Sequence, residues 1–230
     1  MIRARGAMVL TALLVFCQAA GAREPSLGSP QVAVLLRFEQ PPGKGFFETL
    51  RREVDDIFRP AGLDLHWFRL DQQIPRRSFD RVVVVEMRGR CSVAVLDEVL
   101  QTPAGGVTLG STAVEEGQVI PFSMLYCDLI ARAVARMRGA SLSRALLPSS
   151  YYRLAGRVMA HEMMHALLRS TGHQDTDCAR AVVLPYELYA PARLTPAERA
   201  ALRRLRADPS GISLAKGERL PAAVSGYRPK

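Results

Sequence analysis

The stretch HEMMH, from His161 to His165, sets two imidazoles four residues apart with a carboxylate beside the first. On a helix, residues at i and i+4 lie one above the other on the same face. Both imidazoles can then reach one zinc ion, and Glu162 stands where it can take the proton of an attacking water. A hydrolytic zinc site needs a third protein ligand and an open position. His173 is the expected third ligand, because it follows Gly172 at a point where the chain can turn back over the metal. Asp175, Asp177 and Glu187 are its rivals. Cys178 could instead act as a fourth ligand and close the site to water. The chain holds 4 histidines, and three of them fall in this one segment. The other, His66, alternates with Leu65 and Trp67 in a strand-like stretch and is expected to be a structural or surface residue.

The surroundings of the motif strengthen the case for a metal. A helix is expected from Ser149 or Ser150 to about Ser170, with Gly172 as its left-handed cap. Leu154, Val158, His161, His165 and Leu168 share one face, while Ala160, Met164 and Leu167 share another. Met159, Met163 and Ala166 fill most of the rest, so from Val158 to Leu168 the helix is apolar almost all round and should be buried. Burying a carboxylate and two imidazoles is costly unless each is paired or metal-bound. A divalent ion resolves that conflict.

The elements that must position this helix come earlier in the chain. Gln31 to Phe38 is a short apolar, β-branched run, as a buried strand requires. Phe46 to Phe58 has helical periodicity and ends at Pro60-Ala61-Gly62. Leu63 to Leu70 alternates as a half-buried strand does, and Asp80 to Met87, with four consecutive valines, predicts a central strand. Val93 to Leu100 fits a strand or a short helix, Val107 to Thr112 a short strand, and Pro121 to Met137 a helix. Thr195-Pro196-Ala197-Glu198 has the form of a capping box opening a last helix to about Arg206. The fold class predicted is α+β: a small mixed sheet from the N-terminal half packed on long helices, with the buried motif helix at its centre. That domain is expected over residues 30–207, with 208–230 a loose tail.

The N-terminus has another purpose. Arg3 and Arg5 precede a nearly uncharged run to Ala20, and Ala20-Gly21-Ala22 has the small residues that a signal peptidase reads. Residues 1–22 are therefore expected to be a signal peptide, cleaved to release a periplasmic or secreted protein. The run is short of the roughly 20 residues a bilayer span needs, and no other stretch qualifies. Cys17 leaves with the signal. The remaining Cys91, Cys127 and Cys178 predict one disulfide and one free thiol in an oxidising compartment. Formal net charge is +9, mostly from arginines scattered along the chain. With no basic block interleaved with aromatics, nucleic-acid binding is not expected.

HEMMH with a following histidine resembles the zincin metallopeptidases, metzincins above all. The metzincin pattern HExxHxxGxxH has Leu168 here in place of its glycine and Thr171 in place of its third histidine. No methionine follows Met164, so the methionine turn is missing as well. Three segments, RVVVVEMRGRC (Arg81–Cys91), LGSTAVEEGQVIPFSMLYCD (Leu109–Asp128) and AGRVMAHEMMHALLRSTGH (Ala155–His173), are similar to a family of exported bacterial proteins, mainly acidobacterial. That family shows a GRVLAHELxHxLxxTTGH motif and has no assigned substrate. The resemblance covers roughly Val32 to Arg206. It implies a site of His161, Glu162, His165 and His173, and a Cys91–Cys127 disulfide with Cys178 unpaired.

Together these features predict an exported Zn²⁺-dependent peptidase acting on a peptide or protein substrate, with Glu162 as general base. Tyr186 or Tyr189 could add a hydrogen bond to the oxyanion. The alternative is a zinc-binding structural or interaction domain without catalysis.

Overall fold

A computed structural model describes residues 28–74, 77–96, 108–137, 146–172, 192–207 and 212–214. Its centre is a five-stranded sheet of β1 (Gln31–Phe38), β2 (Asp64–Arg69), β4 (Arg81–Arg88), β5 (Gly110–Glu115) and β6 (Gln118–Tyr126), in the order β2-β1-β4-β6-β5. Neighbours pair in parallel except β5, which runs antiparallel to β6 at one edge. The sheet is thus mixed, as expected. Segregation of strands from helices is incomplete, because α1 (Phe46–Phe58) links the parallel strands β1 and β2. The short β3 (Arg77–Phe79) pairs with β7 (Ile212–Leu214). The stretch expected to be a loose tail therefore contains a paired strand.

Strands β1 and β4 lie in the middle and are buried on both faces, which is why both read as continuous apolar runs. On one face Val32, Val34, Leu36, Val83, Val85 and Met87 meet the helices. Ala33, Leu35, Val82 and Val84 face the other way, with Phe79, Phe122 and Met124. The helical layer consists of α1, α2 (Cys127–Met137) and α3 (Leu147–Leu168), and α3 packs against α1, α2, β5 and β6. A fourth helix, α4 (Pro196–Arg203), opens with the expected capping box at Thr195 and Glu198.

Three local expectations need correction. The stretch from Pro121 to Met137 is not one helix: β6 runs to Tyr126 and α2 starts at Cys127. The β5–β6 register shifts between Thr112 and Val114, so Ala113 stands opposite Ile120 to Phe122, with Pro121 inside the bulge. A bulge is where a strand can hold a residue that has no N–H. The strand expected over Val107 to Thr112 instead begins at Gly110 and reaches Glu115. Its turn to β6 uses Glu116 and Gly117, both at positive φ, as a two-residue hairpin requires. The motif helix also starts before the serines, at Leu147, with Pro148 in its first turn, and Arg169 rather than Gly172 is its left-handed cap.

Cys91 and Cys127 form a disulfide with a Cα–Cα distance of 5.0 Å, joining the segment after β4 to the start of α2. No helix among the described residues is long and apolar enough to cross a membrane.

Candidate metal centre

Helix α3 carries His161, Glu162 and His165 in one continuous helical stretch. Its two histidines face the same way, one turn apart. Their Nε2 atoms stand 3.0 Å from each other, and the rings meet edge to face at 84°. Two nitrogens sharing one tetrahedral zinc at ordinary bond lengths lie about 3.3 Å apart. The pair is thus close to the separation that a shared ion imposes.

The proton of His165 can be placed. Its Nδ1 lies 2.6 Å from the carbonyl oxygen of Ser170, a group that can only accept. Nδ1 therefore carries the hydrogen, and in the neutral ring Nε2 presents its lone pair towards His161. A backbone carbonyl on the far nitrogen is the usual way a metal-ligating histidine is oriented. The chain delivers that carbonyl through its cap. Arg169 turns left-handed at φ 49°, and the amides of Arg169 and Ser170 both donate to the carbonyl of His165. No sequence signal marked Arg169 or Ser170, because a non-glycine residue at positive φ has no reliable signature.

Glu162 points elsewhere from the same turn. It is buried, at 6% exposure, beside β5. Its Oε2 accepts from the Thr112 hydroxyl at 2.7 Å, and the Thr112 oxygen stands 3.0 Å from Ser123 Oγ. Thr112 has one proton to give, and it goes to the nearer carboxylate, so Ser123 donates to Thr112. Gly110, two residues before Thr112 on the same strand face, allows the close approach. A Cβ there would lie 2.8 Å from Val158 Cγ1 and 3.0 Å from Glu162 Oε1. Burial pushes the Glu162 carboxyl above its ordinary value, while the Thr112 hydrogen bond and the nearby His165 pull part of the way back. A carboxyl raised in this way moves towards the range in which a general base works best.

A cavity of about 50 Å³ opens at the pair, lined by His161, Met164, His165, Leu168, Ser170, Gly172 and Glu198. The donor set fits zinc as far as it is described: two convergent imidazoles, one with a fixed tautomer, beside room for a small ligand. Among the described residues no group of three or more His, Cys, Asp or Glu side chains could hold a metal ion. His173, Asp175, Asp177, Cys178 and Glu187 lie outside the described residues, as do Tyr186 and Tyr189. His66 is on β2 at the opposite edge of the sheet, bonded to Gln31 and Asp64. Gly110, Thr112 and Ser123 lie in a segment that carries the family resemblance, but sequence reasoning gave them no role, which only the strand–helix contact shows; it also missed that Glu198, explained as a capping-box residue, lines the cavity.

The chain is similar to the crystal structure of an archaemetzincin from Methanopyrus kandleri, with 11% identity and a TM-score of 0.43, over 80% of this chain and 99% of that one. No family profile matches the sequence, and no curated protein matches it. A likeness at that identity and TM-score assigns neither a family nor an activity, so the residues themselves must.

Proposed function

We propose that this chain is an exported zinc-dependent peptidase, a divergent zincin related to the family whose motif it shares. The observation that carries the reading is the facing pair of Nε2 atoms, 3.0 Å apart, with the His165 proton held on the far nitrogen by Ser170. His161, His165 and His173 hold the metal. When bound, zinc supplies Lewis acidity and eases deprotonation of water near neutral pH. Glu162, fixed by Thr112, takes the proton of the attacking water and passes it to the leaving amine. The water oxygen bonds to the carbonyl carbon, and the scissile C–N bond breaks as the amine nitrogen gains that proton.

Two features support the substrate and the compartment. Strand β5, which carries Thr112 to Glu162, is the outermost strand of the sheet among the described residues. An extended peptide laid along such an edge gains main-chain hydrogen bonds and would pass beside Glu162. The Cys91–Cys127 disulfide suits an oxidising compartment, which cleavage after Ala22 would supply.

The test is Glu162→Gln. The variant is expected to bind zinc as the wild type does and to lose peptide hydrolysis by roughly 10²–10⁴-fold, the usual contribution of a positioned general base. Hydrolysis at the wild-type rate would remove Glu162 from this role.

A further inference from the structure

Ser123 stands on β6 directly opposite Thr112 on β5, and it is fully buried. A hydroxyl in a sheet interior costs stability unless it is hydrogen-bonded. Among the described residues Thr112 is its one hydrogen-bond partner, at 3.0 Å. Such a pair can serve simply to tie two strands together. That use does not require the pair to end on a carboxylate, and this one does. Thr112 Oγ1 has three oxygens in reach: Glu162 Oε2 at 2.7 Å, the Glu162 carbonyl oxygen at 3.0 Å and Ser123 Oγ at 3.0 Å. The two Glu162 oxygens can only accept, so of the three Ser123 alone can donate to Thr112. Ser123 therefore fills a Thr112 lone pair and turns the Thr112 proton towards Glu162.

We propose that Ser123 is a positioning residue for the general base, acting through Thr112 to clamp Glu162 Oε2 and leaving Oε1 as the oxygen that takes the proton. This rests on the reading of Glu162 as general base. Oε1 accepts no hydrogen bond from a described residue. It lies over Gly110, where a Cβ would stand 3.0 Å away. The two oxygens of one carboxylate thus have separate tasks, one anchored and one free. Hydroxyls in series polarise one another, so Thr112 is the stronger donor with Ser123 behind it. The strand register sets up the chain. Its shift between Thr112 and Val114 falls next to the Thr112–Ser123 pair. A slip of one residue in β6 would turn Ser123 to the other face of the sheet, where Phe122 and Met124 now lie.

The test uses the full chain and three variants: Ser123→Ala, Thr112→Val and the two combined. The first readout is the side-chain carboxyl ¹³C resonance of Glu162 in the metal-free protein, at an alkaline pH where the carboxyl is ionised. Its absence in Glu162→Gln assigns it. Ser123→Ala should move the resonance in the same direction as Thr112→Val, and by less. The double variant should match Thr112→Val alone. The second readout is peptide hydrolysis. Ser123→Ala should lower kcat about two- to tenfold, the worth of one net hydrogen bond, with KM unchanged. The double variant should be no slower than Thr112→Val, because the Ser123 effect passes through Thr112. A resonance that Ser123→Ala leaves unmoved overturns the proposal. Effects that add in the double variant also overturn it, because they make Ser123 a strand-pairing residue only. If Ser123→Ala fails to fold, Ser123→Cys, similar in size and a weak donor, takes its place in the same comparison. A wild type that hydrolyses no peptide, with the resonance moving as expected, overturns the general-base reading and supports the clamp.

Discussion

His66 and His165 are both partly buried imidazoles, on opposite sides of the molecule, and their protons sit on opposite nitrogens. At His66 the acceptors Gln31 Oε1 and Asp64 Oδ2 lie 2.7 and 3.1 Å from Nε2, and the donor Arg77 lies 3.5 Å from Nδ1. The proton is therefore on Nε2, and both ring nitrogens are engaged by protein groups. At His165 the acceptor, Ser170 O, is on the Nδ1 side, and Nε2 faces a second imidazole. Both rings have a protein partner on each nitrogen, and in the first arrangement the proton is on Nε2. The second leaves the tautomer that a metal bound through Nε2 requires. Residue type and burial are similar in the two places, and one backbone carbonyl makes the difference.

The comparison is broken most directly by removing each ring. His165→Ala and His161→Ala are each expected to abolish detectable hydrolysis and tight zinc binding, since each removes one of the three proposed ligands. His66→Ala should leave both intact and lower only stability. Zinc affinity that falls equally in His66→Ala and His165→Ala would erase the distinction.

Smaller effects sharpen it. Thr112→Val keeps shape and removes the hydroxyl that holds Glu162. Activity should fall on the order of tenfold to a hundredfold through mispositioning of the base, with zinc content unchanged. Thr112→Ser, which keeps the hydroxyl, should recover most of the loss. Because that hydrogen bond lowers the Glu162 pKa, the acidic limb of kcat/KM should also move to higher pH in Thr112→Val. Gly110→Ala places a Cβ against Val158 and Glu162. It should destabilise the protein by about 1–3 kcal/mol, the usual cost of overpacking, measured by denaturant unfolding. Unchanged stability there would mean that β5 and α3 are less closely packed than described.

The smallest effect is a pH dependence of the metal-free protein. Burial raises the folded-state pKa of Glu162 above its ordinary value of 4.5. Such a group contributes stability that is full below the unfolded pKa and is lost as pH rises through the folded one. Metal-free wild type should therefore match Glu162→Gln at low pH and become the less stable of the two towards neutrality. A gap that widens on acidification instead would contradict the direction of the shift.

Much of this arrangement was legible in the sequence. The four valines of β4 stated a doubly buried strand, and the apolar surroundings of HEMMH stated a buried helix. Thr195 and Glu198 announced their capping box. Where the sequence misled, a tertiary contact had overridden a local rule. Pro121 reads as a helix start, yet the β5–β6 bulge absorbs its missing N–H. Gly172 reads as the cap, yet Arg169 takes the left-handed turn and brings the Ser170 carbonyl to His165. Gly110 and Thr112 fall in the LGSTAVEEGQVIPFSMLYCD segment that carries the family resemblance, but no role for them could be read from it. They matter only because an edge strand lies against the one helical turn that holds Glu162.

The central claim is that His161 and His165 hold zinc together with a third histidine. Zinc content by mass spectrometry, on wild type, His173→Ala and Cys178→Ala after reconstitution, tests it most directly. About one zinc per chain in wild type and Cys178→Ala, and none retained by His173→Ala, is the predicted result for an open three-histidine site. Wild-type protein that takes up no zinc would contradict it.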